Sequence, residues 1–214
     1  MTFYKILFKS LDNLSLENKY IINLNYNNCY INSRNIINYS DVLVKEIQTN
    51  SKNKIFAAAF QTVWLLNIDR LILHSKINCE NYYFLDVGCG KGISTIYTLD
   101  NYNFKSVSGF DFSSKLIQDS KINIEKSNIK NKNINFFTAD ASTYLLDNKS
   151  TVIYMFNPFE NNILTSFLDN NIENIRNTKS VIFLCNDKSN GLILDYIPVD
   201  VIYIKDYNCS IYLF

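Results

Sequence analysis

Asp86, Gly88, Gly90 and Gly92 stand together in LDVGCGKG, where an apolar run over residues 82–87 meets an acid and breaks into alternating glycines. The chain has only 5 glycines. Glycine weakens a strand or helix that it merely interrupts, so a cluster here means a sharp turn and close approach to a ligand. A strand that ends in such a loop and opens a helix is the layout of nucleotide-binding α/β folds. Asp86 narrows the ligand further. A carboxylate two positions before the first glycine repels a pyrophosphate and suits an ammonium or sulfonium charge. The spacing agrees, because G-x-G-x-G lacks the third-glycine spacing of the dinucleotide fingerprint G-x-G-x-x-G.

In open α/β sheets the ligand lies outside the carboxyl ends of the strands, so the residues after each strand carry the next clues. Asp111 falls about twenty residues past the glycine loop, where an acid meets the two hydroxyls of a ribose. Its ionised side chain is acceptor-only and can take both hydroxyl protons; its local alternative is to cap the helix that begins near Ser113. Asp140 either accepts from the exocyclic amine of a base or caps a helix. Asn157, Pro158 and Phe159 read locally as a strand-to-helix turn, with proline fixing φ and Asn157 satisfying the backbone. Other reactive types read as structural. His74 is the single histidine, late in a helix; Cys89 is a small packing residue inside the loop; Trp64 and Phe60 are core. Lys91 is either solvated or the partner of a ligand carboxylate.

The elements that must position these residues are expected as strands over 82–87, 106–110, 134–138, 151–156 and 180–186, separated by helices over 93–99, 113–127 and 160–176. That alternation implies a parallel sheet with right-handed crossovers. Strands over 199–205 and 209–214 are joined by three residues, too few for a crossover, and so form an antiparallel hairpin. Upstream, residues 57–76 read as a helix led by alanines, and 3–16 and 39–48 as further helices. Short strands or ordered loop are expected at 20–24 and 29–31, with a polar break at 51–54. The boundary falls near residues 78–81, giving a mainly helical cap over 1–78 and a ligand-binding domain over 79–214.

Composition bounds the function classes. A length of 214 residues suits one sizeable core. Lys+Arg 21 against Asp+Glu 20 gives no global field for nucleic acid or an anionic membrane, so neither partner is expected. The 5 cysteines contain no C-x-x-C pair, which argues against a disulfide framework or a metal site and fits a reducing cytoplasm. No apolar run reaches the roughly 20 residues of a membrane span.

LDVGCGKG, then GFDFS, NINFFTAD and VIYMFNPF, in that order, resemble the class I S-adenosylmethionine (SAM)-dependent methyltransferases. The resemblance runs from residue 82 to the C-terminus. It implies a Rossmann-like, doubly wound, seven-stranded sheet, mostly parallel with a C-terminal hairpin. It also implies SAM as cofactor and S-adenosylhomocysteine as product. Asp86 and the loop Gly88 to Gly92, with Cys89 and Gly90, would hold the methionine part, Asp111 the ribose, and Asp140 with Ala141 the adenine edge, Phe112 also counting among the cofactor-binding residues. NPF is similar to the N-P-P-Y/F motif of amino-directed methyltransferases and to the asparagine-aromatic segment of Dot1-type lysine methyltransferases. By that likeness Asn157 accepts from a target amine and Phe159 packs beside it. The acceptor, a small-molecule or protein amine or hydroxyl, is unidentified, with N-methylation favoured because no strong base is visible. An NAD-dependent oxidoreductase, an aminopropyltransferase and a catalytically silent SAM-fold scaffold stand as alternatives.

Overall fold

The computed structural model describes residues 11–49, 51–56, 59, 63–156, 159–186 and 191–214. Seven strands form one sheet: β1 (Tyr83–Val87), β2 (Val107–Asp111), β3 (Ile134–Thr138), β4 (Thr151–Phe156), β5 (Val181–Cys185), β6 (Asp200–Ile204) and β7 (Cys209–Leu213). Their order is β3-β2-β1-β4-β5-β7-β6, parallel except for β7, which runs antiparallel to both β5 and β6. The expected α/β architecture and its closing hairpin are therefore present.

β4 and β5 are almost uninterrupted apolar runs because both faces of the sheet are covered. Along them, side chains alternate between two cores. Phe84, Val152, Tyr154 and Phe183 enter one layer with α1 (Leu16–Ser33), α2 (Leu65–Ser75), α3 (Ile93–Asn101) and α4 (Ser114–Lys126). Leu85, Ile153, Met155 and Leu184 enter the other with α5 (Asn161–Asn177). The chain leaves β1 toward β2 and β3, then returns to place β4 on the other side of β1. That reversal opens a crevice at the carboxyl ends of β1 and β4.

The region before β1 departs from expectation in three places. Residues 20–24 and 29–31 are not strands but part of α1, capped by the Ser15 side chain, which accepts from Asn18 N at 3.3 Å. Its buried face carries Lys19, Asn23 and Asn27 as well as Tyr30 and Ile31, so an apolar stripe was not there to find. The helix expected over 39–48 is reduced to a 3₁₀ turn at Val44–Glu46. Here the domain itself satisfies the backbone: Asn123 of α4 accepts from Asn38 N at 2.8 Å and donates to Asn38 O at 2.9 Å. The helix expected from 57 starts only at Leu65, with Trp64 extended before it, while 57–58 and 60–62, including Phe60, lie outside the described residues. Buried Asn27 donates to Val63 O at 2.6 Å and accepts from Leu65 N at 3.1 Å, which fixes the chain in a non-helical path around Trp64. Of the helix expected over 3–16, residues 1–10 lie outside the described residues.

Asn123 also donates to Lys91 O at 3.0 Å, so it ties the loop after β1 to the segment before it. Asn123→Ala leaves buried backbone groups unpaired and is expected to cost about 1–3 kcal/mol, read as a lower urea midpoint at unchanged slope.

Candidate functional site

The loop after β1 takes its shape from backbone that only glycine adopts freely. Gly88, Gly90 and Gly92 all have positive φ, at 76°, 53° and 75°. Gly92 is the N-cap of α3, and a Cβ there would lie 2.5 Å from the Phe136 ring. Gly88 N and Cys89 N both donate to Phe110 O at 2.9 Å, which locks the loop to β2. Cys89 is buried against Gly109, where an added Cβ would meet its own Cβ at 2.9 Å. Burial pushes its thiol well above the ordinary range, so it packs and does not attack.

Two buried acids face this loop. Asp86, in β1, accepts on one oxygen, Oδ2, from Ser94 Oγ at 2.5 Å and Thr95 Oγ1 at 2.7 Å, both in the first turn of α3. Asp111, at the end of β2, accepts from Gly90 N at 3.1 Å and Ser113 N at 2.9 Å. The cap of α4 is Ser113 itself, so Asp111 is not the helix cap that its position allowed. Burial raises both carboxyls to about 6, against the hydrogen bonds each accepts, and the charge of Asp111 adds to the rise at Asp86. Two buried acids that line one cleft are relieved by a cationic ligand.

Asp140 does cap locally. Its side chain accepts from Ser142 N and anchors the 3₁₀ turn Ala141–Thr143. It also accepts from Ser51 Oγ at 2.7 Å and from Asn53 Nδ2 at 2.9 Å. Burial would raise its pKa, but the bonds from Ser51, Ser142 and Asn53 outweigh that and hold the carboxyl below its usual range. These bonds belong to a strap. Ser113 Oγ donates to Gln48 O, Thr49 Oγ1 donates to Phe112 O, and Glu160 N donates to Phe56 O, so residues 48–49 and 51–56 pass over the carboxyl ends of β2, β3 and β4.

Asp86, Gly88, Cys89, Gly90, Asp111 and Phe112 all line one cleft beneath this strap. Asp140, Ala141 and Phe159 line it too. Its cavity volume is about 80 Å³, narrower than the ~300–1,000 Å³ of small-ligand pockets, with the strap of residues 51–56 closing it from above. Asn157 and Pro158 lie outside the described residues. Sequence reasoning missed Ile47, Asn53, Val63, Tyr154 and Phe156, which also line the cleft. Phe156 had a signal, as the last apolar residue before NPF; Asn53 sat in a polar break with none. Lys91 is neither solvated nor in the cleft: it is buried and donates to Ser40 O at 2.7 Å. Trp64 is half-buried, not core, and His74 is exposed on α2. Among the described residues no His, Cys, Asp and Glu group could hold a metal ion, and no helix is long and apolar enough to cross a membrane.

A 3-2-1-4-5-7-6 sheet with its cleft over the β1 and β4 carboxyl ends is the architecture of the class I methyltransferases. Residues 84–177 match the family model described as Methyltransferase domain. Residues 84–177 therefore form a methyltransferase domain of the class I SAM-dependent kind. A candidate SAM-dependent methyltransferase of Methanococcus maripaludis shares 17% identity and a TM-score of 0.53 over 69% of this chain and 83% of that one. A candidate RNA methyltransferase of Pyrococcus horikoshii shares 11% identity and a TM-score of 0.50 over 79% of this chain and 92% of that one. At such identities the likeness is one of fold. The chain spans about half the length, or less, of some of the solved structures it matches, 47% of one and 39% of another. No curated protein matches it in sequence.

Proposed function

We propose that this methyltransferase transfers its methyl group to an amine nitrogen. The carrying observation is the pair of buried acids, Asp86 in β1 and Asp111 at the end of β2, facing the glycine loop within one cleft. In this reading Asp86 and the residues 88–90 receive the methionine end, Oδ1 of Asp86 being clear of the hydroxyls that converge on Oδ2. Asp111 and Phe112 take the ribose, and Asp140, Ala141 and Asn53 take the adenine edge. When bound, SAM supplies a methyl carbon already electrophilic through its sulfonium, so the protein's task is to orient a nucleophile and exclude water. Asn157 accepts from the acceptor amine and Phe159 packs beside it. Residues 79–214 act as the catalytic domain, with 1–78 as a cap that includes the strap over the cleft.

The scaffold reading keeps the cofactor without turnover, and a methyl-transfer assay separates it. The test is Asn157→Ala, with calorimetry of S-adenosylhomocysteine binding beside a tritiated-methyl transfer assay on metabolite pools. Cofactor affinity is expected to hold while turnover falls about tenfold or more, the effect of a lost transition-state contact. Equal loss of both would assign Asn157 to the structure of the turn.

A further inference from the structure

A second cavity, of about 710 Å³, adjoins the cofactor cleft. Phe156, the last residue of β4, lines both, and of two neighbours in sequence Val63 lines the cleft and Trp64 the second cavity. The two spaces thus share a wall at the end of the strand that leads into NPF. The walls are aromatic and amide-rich. Tyr20 and Trp64 form an edge-to-face pair, with centroids 6.1 Å apart, and Tyr39 and Tyr207 add further rings. Asn28 and Asn186 bring amide groups to the same space. Its charged lining residues are Asp41, Asp206 and Lys205, and Lys19 behind them reaches Asp206 at 3.1 Å. A polyanion would find no net attraction there. Rings that stack and amides that read an edge fit a planar, neutral, nitrogen-bearing ring.

We propose that this cavity takes the methyl acceptor and that the acceptor is a small aryl or heteroaryl amine, an inference that rests on the methyltransferase reading above. The chemistry of the walls supports it. The only histidine, His74, lines neither cavity, and an aryl amine is already neutral near pH 7, so it needs no base to free its lone pair. That lone pair forms the new nitrogen–carbon bond, the carbon–sulfur bond breaks with its electron pair returning to sulfur, and the nitrogen's proton leaves to solvent.

Trp64 is the only tryptophan, so its fluorescence reports occupancy without turnover. Aniline, 3-aminopyridine and 2-aminopyrimidine are titrated into the full chain saturated with S-adenosylhomocysteine; cyclohexylamine and a short single-stranded RNA serve as comparisons. At least one aryl amine is expected to change the emission saturably. Tyr20→Ala, a change at an exposed position, is expected to weaken that binding at least tenfold and leave S-adenosylhomocysteine affinity unchanged by calorimetry. With the cofactor product still bound, the proposal falls if no aryl amine responds, if only cyclohexylamine or RNA does, or if Tyr20→Ala binds normally. A wild-type chain that is folded yet fails to bind S-adenosylhomocysteine instead overturns the methyltransferase reading beneath it.

Discussion

Replacing Asp111 by alanine will lower the affinity for S-adenosylhomocysteine about 100-fold, the upper part of what one lost charged hydrogen-bonding group costs, ~1.5–3 kcal/mol. Two losses combine. The proposed acceptor for both ribose hydroxyls disappears, and Gly90 N and Ser113 N lose the oxygens that hold the loop after β1 against the start of α4. Asp111→Asn separates them. The amide keeps the shape of the side chain and one of the two acceptor oxygens, so it can hold Gly90 N or Ser113 N but not both, and part of the stability lost in Asp111→Ala is expected to return while affinity still drops. Unchanged affinity in both variants, measured by calorimetry on folded protein, would remove Asp111 from the site.

The sheet was legible because its strands obey a simple rule. Buried on both faces, β4 and β5 read as apolar runs, and β3 and β4 fall at the expected residues 134–138 and 151–156. The loop was legible for a similar reason: in a chain with 5 glycines, three at alternating positions leave few explanations besides positive φ and close approach. The region before β1 obeys no such rule. There the determining residues are buried asparagines, which composition alone presents as a uniform background.

Asn27, Asn123 and Asn171 each accept from one backbone N–H and donate to a backbone carbonyl of a segment outside regular structure. A side-chain amide in this role does what a neighbouring strand would do, giving an extended segment full hydrogen bonding without a sheet. It also overrides local helix propensity, which is why Val63 and Trp64 stand outside the helix before β1. The strap over the cleft is held the same way, by Ser51 and Asn53 on Asp140 and by Ser113 on Gln48. No local pattern announces such contacts, since each joins residues far apart in the chain.

Acidification from pH 7 to pH 5 will weaken S-adenosylhomocysteine binding while stabilising the ligand-free protein. Burial raises Asp86 and Asp111 to about 6, above the ~3.9 of an unfolded aspartate. Buried Asp69 rises to about 6 for the same reason, although Tyr102 and Tyr97 donate to it. Between pH 4 and 6 the native state therefore holds more protons than the unfolded state, and its stability falls as pH rises through that window, by roughly 1 kcal/mol per unit for each acid. Asp140 does not alter the sign, because its carboxyl lies below the usual range and contributes only in stronger acid. The ligand needs the opposite protonation state. In the proposed site the ammonium and the ribose hydroxyls are taken by ionised Asp86 and Asp111, so below pH 6 binding must first remove protons, at about tenfold in affinity per acid by pH 5. Calorimetry at pH 7, 6 and 5 reads the affinity, expected to fall about 100-fold overall, and urea melts on the same samples read the stability. Asp111→Asn is expected to flatten the affinity profile by one acid's share. A profile that stays flat in the parent would mean that neither carboxylate touches the ligand, whereas parallel falls in affinity and stability would mean that the cleft simply comes apart in acid.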